Sequence, residues 1–155
     1  MTTSVKTEAF IEITPSDVPA LMIIELACHP HPWSEKTFKS CIGGRYFGER
    51  LETAQHNNIG FYVGEFVAGE ATLMDICVQP TEQGCGFGKK LLTQFLAQAK
   101  KLGASKIFLE VRAKNIAAQM LYMNAGFIEI DRRTGYYPSN TGFGYEDAIV
   151  MSKKL

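Results

Sequence analysis

Gln83-Gly84-Cys85-Gly86-Phe87-Gly88-Lys89-Lys90 decides how this chain is read. The stretch stands between an apolar extended run, Glu70 to Val78, and a segment in which Leu91, Leu92, Phe95, Leu96, Ala99 and Leu102 recur at helical spacing. Three alternating glycines are more than a turn requires. They let the main chain approach a ligand with no Cβ in the way. Free N–H groups opening the following helix, together with its dipole, favour an anion there. Lys89 and Lys90 add positive charge. A phosphate or pyrophosphate is the occupant these features predict, and a loop that merely turns the chain is the plainer alternative.

Upstream, Ala68-Gly69 allows only a tight hairpin between Ile59–Val67 and Glu70–Val78. With Arg45–Leu51 these runs make an antiparallel meander. Ala9–Ile13 reads as a first strand. Thr14-Pro15-Ser16-Asp17 opens a helix that passes Leu21, Ile24 and Cys28 and stops before Pro30. Ser34 caps a short helix, Glu35 to Ile42, ended by Gly43-Gly44. Downstream, Gly103 ends the amphipathic helix and Lys106–Val111 is a strand. Asn115 caps a helix, Ile116–Asn124, with Gly126 just past it. Phe127–Arg133 and Asp147–Lys153 are closing strands, joined by a loop rich in Gly, Tyr and Asn. The order is β-α-α-β-β-β-α-β-α-β-β. It implies a right-handed parallel crossover from Glu70–Val78 to Lys106–Val111. The expected architecture is an α/β (α+β-like) domain, with a mixed central sheet of about seven strands flanked by helices.

The 155 residues carry 16 Lys+Arg against 16 Asp+Glu and are 46% hydrophobic. That length suits one domain spanning residues 1–155. The apolar fraction argues against an extended disordered chain. Balanced charge supplies no global field to gather nucleic acid or an anionic membrane. No apolar run approaches the ~18 residues of a membrane span. MTTSVKTEAFIE lacks the charged start, apolar core and cleavage site of a secretory signal. A cytoplasmic protein is expected, with Cys28, Cys41, Cys77 and Cys85 as reduced thiols. Cys28, His29 and His31 invite a zinc reading. Pro30 and Pro32 break that stretch, however, and no second ligand pair has standard spacing. No metal is expected, and a helix end running into a proline-rich turn is the simpler account.

Which phosphate ligand fits can be narrowed. A P-loop would need glycine at position 83 and Ser or Thr at position 90, where Gln83 and Lys90 stand. A dinucleotide loop finds Gly84, Gly86 and a suitably placed acid in Glu110. Its third glycine comes one position early, though, and Gln79 to Gln83 separate the loop from the strand. The meander ahead of the loop is also wrong for that fold. What remains is Q/R-x-x-G-x-G/A, filled by Gln83, Gly86 and Gly88.

Here the chain resembles the GCN5-related N-acetyltransferases (GNAT), whose loop holds the pyrophosphate of acetyl-CoA. The resemblance covers nearly the whole chain, since the element order matches as well. Asn115-x-x-Ala118-x-x-x-Tyr122-x-x-x-Gly126-Phe127 looks like the family's later helix and following strand. Pro32-Trp33-Ser34-Glu35-Lys36-Thr37-Phe38, Leu109-Glu110-Val111-Arg112-Ala113-Lys114-Asn115 and Tyr136-Tyr137-Pro138 followed by Glu146-Asp147-Ala148 narrow it to the RimI type. Two departures stand out. Ser139 to Tyr145 is longer than the family's segment, and Gly84 stands where a basic residue is common.

The resemblance implies a GNAT fold and acetyl-CoA as co-substrate. It implies an acceptor that is the N-terminal alanine of a small-subunit ribosomal protein. Coenzyme contacts fall on Gln83, Gly84, Cys85, Gly86, Phe87, Gly88 and Lys89, and on the backbone around Ile76, Cys77 and Val78. Asn115 joins them, although its capping role alone would explain it. Glu110 takes the part of general base, and the alternative for it is an exposed strand glutamate. Tyr122 protonates the coenzyme sulfur, or else is a core tyrosine with a surface hydroxyl. Cys85 has no histidine near it in sequence, so direct transfer in a ternary complex is expected. Trp33, Tyr136, Tyr137, Phe143 and Tyr145 could line a peptide groove. Glu35 and Glu146 could draw a cationic N-terminus or be solvated charges. A monomer is favoured. Other amines as acceptors, an acyl-CoA sensor and a plain nucleotide-binding module remain open alternatives.

Overall fold

The computed structural model describes residues 7–138 and 144–155, so most of the Ser139–Tyr145 segment, Phe143 included, lies outside the described residues. The strands are β1 (Glu8–Glu12), β2 (Tyr46–Thr53), β3 (Gly60–Val67), β4 (Glu70–Val78), β5 (Lys106–Arg112), β6 (Ile128–Pro138) and β7 (Tyr145–Lys154). The helices are α1 (Val18–Cys28), α2 (Glu35–Ser40), α3 (Phe87–Leu102) and α4 (Ile116–Asn124). The strands join in one sheet of order β1-β2-β3-β4-β5-β7-β6. Every neighbouring pair is antiparallel except β4 and β5, which the α3 crossover makes parallel. Among the described residues, no helix is long and apolar enough to cross a membrane.

The expected order holds, and the differences have local causes. Thr14 opens a single 3-10 turn, Pro15–Asp17, before α1 begins. Pro19 has no N–H to donate to the Pro15 carbonyl, so an α-helical bond there is lost. α2 ends at Ser40 rather than Ile42, because the Cys41 N–H turns to the Phe38 carbonyl at 3.0 Å. β6 continues to Pro138 because Tyr137 and Pro138 pair with Glu146 and Tyr145 of β7.

Each face of the sheet carries its own core. On one side Leu91, Leu92, Phe95 and Ala99 of α3 meet Ala71, Leu73, Ile107 and Leu109, with Tyr122 and Phe127 beside them. On the other, Val18, Leu21 and Ile24 of α1 and Phe38 of α2 meet Phe61, Val63 and Cys77.

Two irregularities open the middle of the sheet. β3 and β4 slip register so that Val63 faces Asp75 but Gly64 faces Leu73, leaving Met74 as an extra residue. A bulge of this kind bends its strand and reverses the side-chain alternation beyond it. Ala71 and Leu73 thus point to α3, whereas Cys77 packs on the α1 side and Asp75 reaches His29 at the end of α1. β4 and β5 pair only at Glu70, Ala71 and Thr72 with Lys106, Ile107 and Phe108, and beyond that they part.

Candidate active site

The gap between β4 and β5 holds a cavity of about 560 Å³. The last strand residues of β4 make one wall. Gln79 donates its N–H to the Ile59 carbonyl at 2.8 Å. In an antiparallel ladder the next residue turns its N–H and C=O the other way. Val78 and Ile76 therefore aim theirs into the gap. Side chains confirm this for Val78, whose carbonyl accepts the Cys28 thiol at 3.0 Å and Gln83 Nε2 at 3.1 Å.

The glycine loop closes the cavity at the start of α3. Gly84 and Gly86 adopt left-handed φ angles of 80° and 87°, which a side chain would strain. Lys90 N–H is taken by the Gly86 carbonyl at 3.2 Å, so the N–H groups of Phe87, Gly88 and Lys89 stand ahead of the helix's own bonding. Gln83, Gly84, Phe87 and Gly88 line the cavity, whereas Cys85, Gly86 and Lys89 are exposed and do not line it. Lys90 is paired with Glu8 of β1 at 2.6 Å, so the local charge that the sequence suggested is in part already neutralised.

Glu110 and Tyr122 reach the cavity from opposite faces. On β5, Ile107, Leu109 and Val111 are buried toward α3, which turns Glu110 to the other face. Its half-buried carboxylate lines the cavity and lies 3.3 Å from Arg133 Nη2. Tyr122, 5% exposed, comes from α4 on the α3 side. Burial raises its phenol above the ordinary value, with Asp75 and Cys77 adding to the rise. Asn115 caps α4 by accepting the Ala118 N–H at 3.1 Å, and it also touches the cavity.

Of the residues expected to hold an acceptor, Trp33 and Tyr137 line the cavity. Arg112 stacks over the Tyr137 ring at 4.3 Å. Burial, and then Glu110 beside it, push the Tyr137 phenol up to about 12. The other four described residues are elsewhere, and Tyr145 is exposed outside the cavity. Tyr136 is half exposed and set edge-on against Tyr137. Glu35 pairs with Lys39 one turn along α2 at 3.1 Å, outside the cavity. Glu146 is not solvated: it is buried, and its Oε1 is bound by Arg112 Nη1 at 2.8 Å. A strand residue followed by apolar neighbours has to point one way or the other, and here the β7 alternation turns it inward.

The sequence reading missed a polar cluster on the α1 wall of the cavity, made of Glu25, His29, Asp75 and Cys77. His29 Nε2 lies 2.9 Å from Asp75 Oδ1 and 3.0 Å from Cys77 Sγ. Glu25 also accepts the Trp33 N–H at 2.9 Å, which anchors the loop after α1. Burial first, then the neighbouring Asp75, push Glu25 up to about 8. Burial would lower His29, yet the Asp75 carboxylate holds it above its ordinary value. Burial drives the Cys77 thiol far up. A Glu and a His four apart near a helix end, with Asp-x-Cys on a strand, was the available signal.

The Cys77–His29–Asp75 arrangement is not a nucleophilic triad. Thiol and carboxylate both meet Nε2, so among the described residues no group orients the ring through Nδ1 as a triad requires. Cys85 is exposed, and its contact is with the Gln83 carbonyl at 3.9 Å.

Known proteins place this architecture. Residues 18–127 match the model of the acetyltransferase (GNAT) family. The ribosomal protein bS18-alanine N-acetyltransferase of Haemophilus influenzae is 43% identical over 142 residues, 91% of this chain and 94% of the relative. The crystal structure of the ribosomal-protein-S18-alanine N-acetyltransferase of Escherichia coli superposes with a TM-score of 0.90 at 39% identity, covering 96% of this chain and 94% of that one. At 20% identity, Arabidopsis thaliana NAA60 in complex with acetyl-CoA shares the fold with a TM-score of 0.84, covering 96% of this chain and 99% of that one. The chain belongs to the acetyltransferase (GNAT) family and, within it, to the RimI type of N-acetyltransferase.

Proposed function

We propose that this protein transfers the acetyl group of acetyl-CoA to the N-terminal alanine of a small-subunit ribosomal protein. The observation that carries the reading is the parting of β4 and β5 beyond Thr72 and Phe108, with Glu110 and Tyr122 entering the gap from opposite faces. The names of the relatives supply the acceptor class.

Each part of the coenzyme has a matching surface. Its pyrophosphate sits on the N–H groups opening α3 and on the loop from Gln83 to Gly88. The pantetheine runs along β4, whose Ile76 and Val78 backbone groups offer strand-like hydrogen bonds. The same donors polarise the thioester carbonyl. The acceptor peptide enters past Trp33 and Tyr137, on the Glu110 side.

An α-amino group has a reference pKa of ~8, so freeing its lone pair near pH 7 costs about 1–1.5 kcal/mol, against roughly 4–5 for a lysine. Glu110, directly or through a water, is base enough for that proton. The nitrogen attacks the carbonyl carbon, and the C–S bond breaks as the tetrahedral adduct collapses. Glu110 passes the first proton to solvent before the attack and takes the second from the adduct's nitrogen, while Tyr122 gives its phenolic proton to the leaving thiolate and regains one from solvent after coenzyme release. Burial makes the phenol a weaker acid, and the same desolvation makes the leaving thiolate a stronger base, which is what lets the proton pass between them.

Competition kinetics test the assignment. A peptide beginning with alanine should be acetylated with a higher kcat/KM than spermidine or an internal lysine peptide. Preference for either of the latter would reject the acceptor assignment while leaving the fold reading intact.

A further inference from the structure

Four side chains on the α1 wall have no part in the transfer just described. Glu25 and His29 lie four residues apart at the end of α1, and Asp75 and Cys77 lie two apart on β4 beyond the bulge. One donor atom from each falls within 4.8 Å of all the others. The measured separations are 2.9 Å for His29 Nε2 to Asp75 Oδ1 and 3.0 Å for Cys77 Sγ to His29 Nε2. Cys77 Sγ lies 3.3 Å from Glu25 Oε1 and 3.4 Å from Asp75 Oδ1, and His29 Nε2 lies 3.7 Å from Glu25 Oε1.

Two features separate this cluster from a proton relay. The four ligand atoms are mutually close, three of them lying 2.9–3.7 Å from the same histidine nitrogen. Asp75, whose side chain is 5% exposed, also keeps its second oxygen, Oδ2, buried with no hydrogen-bond partner once the neighbouring Glu25 carboxyl is ionised. An unpaired buried carboxylate oxygen is costly unless a cation or donor meets it.

The size of the cluster fits one ion. Zinc bonds of about 2.3 Å to sulfur and about 2.0–2.2 Å to nitrogen and oxygen set the edges of a tetrahedron at about 3.3–3.6 Å. Five of the six edges, at 2.9–3.7 Å, bracket that range, and the sixth, between Glu25 and Asp75, lies within 4.8 Å. One sulfur, one imidazole and two carboxylates suit a borderline ion. Magnesium and calcium want shells built of oxygen alone.

We propose that Glu25, His29, Asp75 and Cys77 form a tetrahedral binding site for a divalent ion of the Zn²⁺ class. Binding releases the Cys77 thiol proton and the Glu25 carboxyl proton to solvent, and the His29 Nε2 proton that faces Asp75 leaves that nitrogen as well, with no change of oxidation state. The zinc spacing rejected in the sequence, Cys28-His29-x-His31, is a different set and shares only His29 with this one.

Cobalt reports the geometry directly. Metal-free, fully reduced protein is titrated with Co²⁺, then with Zn²⁺, while near-ultraviolet and visible absorption are recorded. One equivalent should give thiolate-to-cobalt charge transfer with intense tetrahedral visible bands, which Zn²⁺ bleaches. Cys77→Ser should abolish the charge-transfer band. Asp75→Asn should weaken binding by at least the roughly 10–100-fold that losing even an indirect partner costs a metal site. Cys85→Ser should leave the spectrum unchanged. X-ray absorption of the zinc-loaded wild type, which needs no variant to fold, should show a single sulfur among nitrogen and oxygen neighbours. A six-coordinate cobalt spectrum, a zinc shell without sulfur, or a charge-transfer band that survives Cys77→Ser but is lost in Cys28→Ser would overturn the proposal.

Discussion

Arg112 Nη1 lies 2.8 Å from the buried carboxylate of Glu146, and the same guanidinium nitrogen donates to the Pro138 carbonyl at 2.8 Å. One side chain on β5 thus fixes β7 and the far end of β6. It also sets Tyr137 at the cavity by stacking on its ring.

Breaking that pair should be costly, because it is buried. Glu146→Ala leaves a guanidinium partly buried and unpaired, and is expected to destabilise the protein by about 3–5 kcal/mol. Replacing Arg112 and Glu146 together by Met and Leu should recover most of the loss. Urea unfolding of the single and double variants checks both statements.

Glu110→Gln should lower kcat by about a hundredfold or more, with the KM for acetyl-CoA little changed, because the base acts on the amine and not on the coenzyme. Steady-state kinetics with an alanine peptide provide the measurement.

Tyr122→Phe should reduce kcat in the same way. Burial holds the phenol above its ordinary value, so the wild type should keep its kcat as pH rises from about 8 to about 10, where a free tyrosine would begin to ionise. A kcat that falls through that window in the wild type but not in Tyr122→Phe would place the proton donor's pKa too low for this account.

Gly86 stands at φ 87° with nothing within 4 Å of an added Cβ, so Gly86→Ala meets conformational strain and no clash. A cost of about 1–2 kcal/mol in the left-handed region should appear as a raised KM for acetyl-CoA at nearly constant kcat. Initial rates at varied coenzyme concentration test it.

Local signals carried most of the fold. The glycine loop, the spacing of Leu91 to Leu102, the Asn115 cap and the Ala68-Gly69 hairpin each depend on a few neighbouring residues, and the structure realises them. The bulge at Met74 depends on contacts distant in sequence. Gly64 opposite it leaves room where a Cβ would meet the Phe47 and Phe95 rings at 2.6 and 2.7 Å. Simple alternation puts Asp75 and Cys77 on the face of Ala71 and Leu73, so their meeting with Glu25 and His29 was hidden. Glu146 was hidden likewise, because its partner is 34 residues away in the chain. Glu110 and Tyr122 were visible as members of motifs, and the sheet's opening shows how they share one cavity.

The acetyl group is delivered to an N-terminal α-amine in the proposed reaction. Incubate the purified enzyme with acetyl-CoA and an unmodified small-subunit ribosomal protein that begins with alanine, then measure the intact and fragment masses of both proteins. The account predicts a single acetyl on the first residue of the acceptor and none on any cysteine of the enzyme. An acceptor left unmodified, or modified only on lysine, would contradict it.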